Sequence, residues 1–148
     1  MSGLEIRDLT VRYGRRADAP AALRDVSLSV DPGTTVGLVG ESGSGKSTLA
    51  LAVLRALAGE GRVTSGRIEL DGDDVLALRG DALRRYHRER VKLVPQNPLP
   101  SMNPSQRIGR QLAEALSPDA PARADAAEID AMLASVGLPD PPRIRAAS

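Results

Sequence analysis

The sequence predicts an α/β fold, on three observations. Apolar residues alternate with polar ones through 4–13 and 26–30, as they do in strands with one covered face. An apolar run at 36–39 leads straight into a glycine-rich loop and then into an apolar stretch from 47 to 58, which reads as strand, loop and helix. From residue 95 onward the chain turns proline-rich and carries two stretches with helical apolar spacing.

Taken in order, Leu4 and Ile6 share one alternating phase and Leu9, Val11 and Tyr13 another, so the segment forms two short strands or one bulged strand. Val26, Leu28 and Val30 alternate in a single phase, giving an antiparallel layer at the amino terminus. Asp31-Pro32-Gly33 is a turn, and Thr34 to Val39 is continuous enough in apolar character to predict a central strand covered on both faces. The helix from Ser47 to Ala58 is apolar on nearly every side and is expected to be buried, with Gly59 or Gly61 ending it.

Gly66 to Gly72 reads as a strand running into a turn, Asp81 to Arg90 as a charged helix or helical loop, and Val91 to Val94 as a returning strand. Nine of the 11 prolines stand at or after Pro95, so residues 1–95 are expected to form one domain and 96–148 the beginning of a second. In that second part Ile108, Leu112 and Leu116 share one helix face, as do Ile129, Leu133 and Val136, with Gly137 placed as a C-cap. These helices are expected to need a partner surface, and Leu138 to Ser148 to end the chain in a loop, short of a complete domain.

The loop carries the most specific signal. Gly40-Glu41-Ser42-Gly43-Ser44-Gly45-Lys46-Ser47 fits G-x-x-x-x-G-K-[ST] at every fixed position, following an apolar strand and opening a helix. Glycines let such a backbone close around an anion with its N–H groups inward, and the helix that follows adds the positive end of its dipole. Lys46 is one of two lysines against 18 arginines, placed where a compact ammonium on a flexible stem suits β- and γ-phosphates. Ser47 is positioned to give its hydroxyl to Mg²⁺, and Thr48 to begin the helix beside the α-phosphate. The expected fold is therefore a P-loop NTPase core with an amino-terminal antiparallel β layer and the start of a helical subdomain. A dinucleotide fingerprint beginning Gly43-x-Gly45 would require glycine where Thr48 stands.

Composition removes several classes. Twenty cations against 19 anions give a net charge of +1, and with two tyrosines as the whole aromatic content nucleic-acid binding is not expected. The absence of cysteine excludes a disulfide framework and thiolate chemistry and is compatible with the cytosol. The most apolar stretch, Leu49 to Leu54, is interrupted by Arg55, far short of the roughly 20 residues that span a bilayer. The amino terminus places charges where a signal peptide needs an apolar core.

With Tyr13 upstream of the loop and Gln96 in Val94-Pro95-Gln96-Asn97-Pro98 downstream, the layout resembles the ATP-binding subunit of ABC transporters along the whole chain. The resemblance implies that Tyr13 stacks on adenine. It implies that Gln96 is the Q-loop glutamine, whose amide reaches Mg²⁺ and the attacking water and whose loop relays nucleotide state to membrane subunits. The family often has an aromatic residue before this glutamine and an acid after it, where this chain has Pro95 and Asn97. Pro100-Ser101-Met102-Asn103-Pro104 and Ile108 to Leu116 resemble the segment after the Q-loop in the dipeptide and oligopeptide importer branch. The implied ligands are ATP and Mg²⁺; the implied partners are a second ATP-binding subunit and transmembrane permease subunits; the implied location is the cytoplasmic face of the membrane.

The same resemblance implies a Leu-Ser-Gly-Gly-Gln sequence, a strand ending in Asp-Glu and a later histidine for hydrolysis, and the 148 residues contain neither of the first two. His87, the one histidine, precedes Gln96 among arginines and reads as a solvated helix residue. The expectation is an energy-coupling subunit of a peptide-type importer, with this chain binding MgATP weakly and not hydrolysing it. A truncated nucleotide-binding module that never hydrolyses, and a P-loop kinase of small metabolites, are the alternative readings.

Overall fold

The computed structural model describes residues 3–16, 18–97, 102–117 and 124–147. Two compact units divide the chain, residues 1–93 and 94–148. The first holds a four-stranded antiparallel sheet of order β2-β1-β3-β4, from β1 (Leu4–Tyr13), β2 (Ala21–Val30), β3 (Gly61–Leu70) and β4 (Asp73–Asp74). Helix α1 (Lys46–Val53) lies against it.

The change of phase in β1 is a bulge within one strand. Asp8 takes φ 48° there, a conformation Asp tolerates better than most residues, while Ile6 pairs with Leu28 and Leu9 with Val26. The hydroxyl of Ser27 accepts from the Asp8 amide at 2.9 Å and donates to its carboxylate at 3.2 Å. On the far side Gly66, at φ 87°, stands opposite: a Cβ there would fall 2.5 Å from the Asp8 carbonyl oxygen. Asp25 makes a second bulge at φ 49°, bracketed by Thr10. The bulge at Asp8 lets Ile6, Leu9 and Val11 all reach the core that one strict alternation would have split, and the bulge at Asp25 does the same for Leu23 and Val26 in β2.

That core gathers Ile6, Leu9, Val11, Leu23 and Ile68 from the sheet with Leu49 and Ala52 of α1, Val75 and Tyr86. Each large apolar side chain buried this way contributes about 1.5–3 kcal/mol. Val75 opens a single 3₁₀ turn (Val75–Ala77) capped by Asp74, whose carboxylate accepts from the Leu76 amide at 2.8 Å. Helix α2 (Gly80–Arg85) then runs into a π-helical turn (Tyr86–Arg90) that aims Tyr86 inward.

Three expectations for this unit require correction. Thr34 to Val39 is not a strand: it has no ladder partner among the described residues and is exposed from end to end, Val39 being 94% exposed. Val91 to Val94 likewise forms no strand, and Val94 is 90% exposed. A run apolar on both faces gains from a ladder only when strands flank it, and the four antiparallel strands of this sheet pair with one another instead. Helix α1 ends at Val53 rather than Ala58, because Arg55 turns left-handed at φ 56° and the last carbonyls are taken by side chains. Tyr86 Oη donates to the Val53 carbonyl at 2.8 Å and His87 Nε2 to that of Leu54 at 2.7 Å. Of the α1 residues only Leu49 and Ala52 are buried, so the helix is half covered rather than enclosed. His87, exposed as expected, is nonetheless engaged.

The second unit contains α3 (Ile108–Leu116), α4 (Ala126–Ser135) and α5 (Pro141–Ala146). Ala113, Ile129 and Leu133 form its core, with Leu112, Leu116 and Ile144 packed against them. The two expected helices thus meet through Leu112, Leu116, Ile129 and Leu133, whereas Val136, expected on the same face, is 69% exposed. Helix α4 closes in a Schellman arrangement, Gly137 at φ 78° donating to Ala134 and Leu138 to Leu133, so Gly137 does act as the C-cap residue. Residues 141–146, expected as loop, are helical. Pro141 and Pro142 fill the first turn, where a missing N–H costs nothing, and Arg145 ties the helix to Asp130 at 2.7 Å.

Candidate functional site

The first unit presents a loop, residues 40–45, that folds around the side chain of Lys46. Residues 40–45 fold back so that the Ser44 amide donates to the Glu41 carbonyl at 3.2 Å. Gly43 and Gly45 sit at φ 82° and 94°, left-handed conformations that favour glycine. Gly45 is constrained a second time by its neighbours: a Cβ there would lie 2.6 Å from Leu23 Cδ2 and 2.7 Å from the Ala22 carbonyl oxygen. The edge of β2 therefore backs the loop, a relationship that no local pattern signalled. Gly40 is similarly close to Ser44, whose Oγ would stand 2.9 Å from an added Cβ.

Lys46 opens α1 and folds its side chain back over the loop. Its Nζ donates to the carbonyls of Gly40 at 2.7 Å and Glu41 at 2.6 Å, with Ser44 Oγ at 3.3 Å. All three ammonium protons thus point at loop oxygens, and the positive charge lies at the loop's centre. The N-cap of α1 is Gly45, which has no side chain to cap with. The first intrahelical bond is that of Leu49 to Gly45, so the amides of Lys46, Ser47 and Thr48 have no acceptor among the described residues. Uncapped amides beside an ammonium make a phosphate-binding geometry, and these residues fit a nucleotide's phosphates. The Ser47 hydroxyl is exposed and makes no hydrogen bond among the described residues, which leaves its lone pairs available to a hard cation.

Of the residues singled out in the sequence, Gly40, Glu41, Ser42, Gly43, Ser44, Gly45, Lys46, Ser47 and Thr48 come together in this loop and helix start. Tyr13 stands apart from that hydrogen-bond constellation, at the end of β1 opposite Gly61, 36% exposed, with a ring edge 2.7 Å from where a Gly61 Cβ would be. Gln96 belongs to the second unit and is exposed. Pro98, Pro100 and Ser101 of the segment after it lie outside the described residues. Sequence reasoning missed Tyr86 and His87, which secure the far end of the loop's helix. The one available sign was that Tyr86 is the second of only two aromatics.

Among the described residues no group of three or more His, Cys, Asp or Glu side chains is arranged to hold a metal, and no helix is long and apolar enough to cross a membrane. Comparison with known proteins matches residues 23–147 to the family described as ABC transporter. The chain is 42% identical over 141 residues to the probable D,D-dipeptide transport ATP-binding protein DdpD of Escherichia coli strain K12, covering 93% of this chain and 43% of that protein. It is 36% identical over 146 residues to the oligopeptide transport ATP-binding protein OppD of Mycobacterium tuberculosis strain H37Rv, covering 95% and 23%. Against the OppD of Lactococcus lactis subsp. cremoris strain SK11 it is 34% identical over 143 residues, covering 95% and 42%. The chain therefore spans less than half the length of these curated relatives.

Proposed function

This chain belongs to the ABC transporter family, and from that premise we propose that it is the nucleotide-binding portion of an ATP-binding subunit serving a peptide importer. The observation that carries the reading is the Lys46 ammonium at the centre of a loop whose following helix begins with three uncapped amides. The relatives' names, oligopeptide and D,D-dipeptide transport, support a peptide as the transported solute.

In this reading the amides from Gly43 to Thr48 and the Lys46 ammonium hold the phosphates. Tyr13 supplies a face for adenine. Ser47 is the oxygen ligand the loop offers to Mg²⁺, which when bound neutralises phosphate charge and orients the phosphates. Lys46 gains a partner that competes with the Gly40 and Glu41 carbonyls for its protons. The Gln96 amide, donor and acceptor without net charge, suits a role in positioning water without repelling a cation. Residues 96–148 serve as the beginning of the helical subdomain that faces the permease. A second ATP-binding subunit and transmembrane permease subunits complete the assembly, at the cytoplasmic face of the membrane.

Hydrolysis requires groups positioned around the γ-phosphate beyond those of this loop. The 148 residues contain no Leu-Ser-Gly-Gly-Gln sequence and no Asp-Glu strand, so this chain by itself binds nucleotide without turning it over. Calorimetric titration with MgATP tests the binding claim. Lys46→Ala is expected to weaken affinity by about 10- to 100-fold, the equivalent of one charge-assisted hydrogen bond. Equal affinity in the two chains would remove the loop from the account.

A further inference from the structure

A second cationic feature lies away from the loop. Between the end of α1, β3 and the 3₁₀ turn is a cleft of about 480 Å³ lined by Arg55, Arg62 and Arg79 together with the hydroxyl residues Thr64 and Ser65. No carboxylate is among the described residues that line it. Three arginines thus line it without a carboxylate in the wall.

Their hydrogen bonds divide them. Arg62 engages both terminal nitrogens, Nη1 with the Gly14 carbonyl and Nη2 with those of Arg15 and Arg16, at 3.3 and 3.0 Å for the last two. Arg55 and Arg79 each engage Nη1 alone. Arg55 Nη1 donates to the carbonyls of Val75, at 3.2 Å, and Leu76; Arg79 Nη1 donates to those of Leu76 and Leu78, at 2.7 Å each. Both residues thus keep Nε and Nη2 without an acceptor among the described residues. That edge of a guanidinium is the two-pronged fork that matches two oxygens of one anionic group. The shared acceptor, the Leu76 carbonyl, fixes the two arginines as neighbours.

The electrostatics of Arg55 reflect its burial and its cationic neighbour. Burial first, and then the charge of Arg79, lower the Arg55 pKa from its ordinary value, against the opposing pull of Asp74 and Tyr86. The Asp74 carboxylate is itself engaged in capping the 3₁₀ turn.

We propose that this cleft is a second anion site, which takes one oxyanion group, phosphate or carboxylate, on the free forks of Arg55 and Arg79. It is separate from the nucleotide loop and does not depend on the reading given to that loop. Arg62, held by the Gly14 to Arg16 carbonyls, lines one side, and Thr64 and Ser65 add hydroxyls to the wall.

The test follows the Nε–H resonances of Arg55 and Arg79 while inorganic pyrophosphate or succinate is added at constant ionic strength. The chain is used both as it stands and as Lys46→Ala, in which anion capture by the loop is impaired. Expected is a saturable shift of both resonances that persists in Lys46→Ala. In Arg79→Lys, which keeps the charge and loses the fork, the Arg55 response should weaken by about tenfold. Tighter binding of pyrophosphate identifies a phosphate as the occupant, and tighter binding of succinate a carboxylate; either supports the site. Shifts that vanish in Lys46→Ala, or that an equal ionic strength of chloride reproduces, overturn it. The unsubstituted chain supplies the primary reading, so the proposal remains testable even if Arg79→Lys fails to fold.

Discussion

The Lys46 ammonium donates to the carbonyl of Glu41 at 2.6 Å, five residues back along the loop that it closes. The bond draws the lysine ammonium back over the loop. Backbone oxygens of Gly40 and Glu41 hold the charge at the centre, while the uncapped amides of α1 provide positive potential from the other side. In the proposed reading, a phosphate would exchange lysine–carbonyl bonds for lysine–phosphate bonds of higher charge and give the amides an acceptor.

Gly45 and Gly43 should respond differently to the same substitution. Both have positive φ, which costs an alanine about 1–2 kcal/mol. Gly45→Ala also drives a methyl into Leu23 and the Ala22 carbonyl, adding about 1–3 kcal/mol of overpacking, whereas nothing lies within 4 Å of the position at Gly43. Urea denaturation of the two variants measures the gap. Equal losses would mean that β2 does not back the loop.

Thr10 holds the second bulge through a reciprocal pair: its hydroxyl donates to the Asp25 carboxylate at 3.1 Å and accepts from the Asp25 amide at 3.2 Å. Thr10→Val keeps the shape and removes both bonds in a buried setting, for an expected loss of about 1–3 kcal/mol. Ser27→Ala, which removes the matching bracket at the exposed Asp8, should cost less than about 1 kcal/mol, because water replaces the lost partner. The two denaturation midpoints, compared side by side, check the order.

Tyr86 gives the fold a dependence on high pH. Burial, the largest influence, raises its pKa above the ordinary 10.0, although Arg90 and Arg55 pull the other way. The unfolded chain therefore loses the phenolic proton at a lower pH than the folded chain does. Stability is fully present below pH 10 and falls as pH rises from there through the folded-state pKa. Tyr86→Phe should abolish that part of the decline and, at neutral pH, cost about 0.5–1.5 kcal/mol for the bond to Val53. Thermal melts of both chains between pH 8 and about 11 decide it, a range that brackets ordinary tyrosine titration. An unchanged decline in the variant would assign it to other groups.

Turnover is a separate matter from binding. The purified 148-residue chain is expected to release no phosphate from MgATP above background. Steady release that Lys46→Ala abolishes would show that the groups present suffice for hydrolysis.

How much of this was legible depended on whether a residue's role is local. The loop could be read because each of its fixed positions requires a particular residue type, and the structure adds only that Leu23 and Ala22 constrain Gly45 from outside. The phase change before Leu9 was visible, but alternation alone left two strands and one bulged strand equally open. The positive φ of Asp8 and the Ser27 bracket select the bulge, and neither leaves a periodic trace.

Two of the misread segments share a cause. Thr34 to Val39 and Val91 to Val94 have strand composition, yet a ladder is a property of neighbours, and the described strands pair elsewhere. Leu138 to Ser148 is expected as loop, yet Pro141-Pro142 stands at the first turn of a helix, where proline is tolerated. His87, surrounded by arginines, gave no sign that the Leu54 carbonyl would be within 2.7 Å.

The most direct test of the central claim is an amide-resonance titration of the chain with MgATP. The account predicts that the largest shifts fall on Gly43 to Thr48 and that Lys46→Ala suppresses them. Shifts confined to other residues, or a loop indifferent to MgATP, would contradict it.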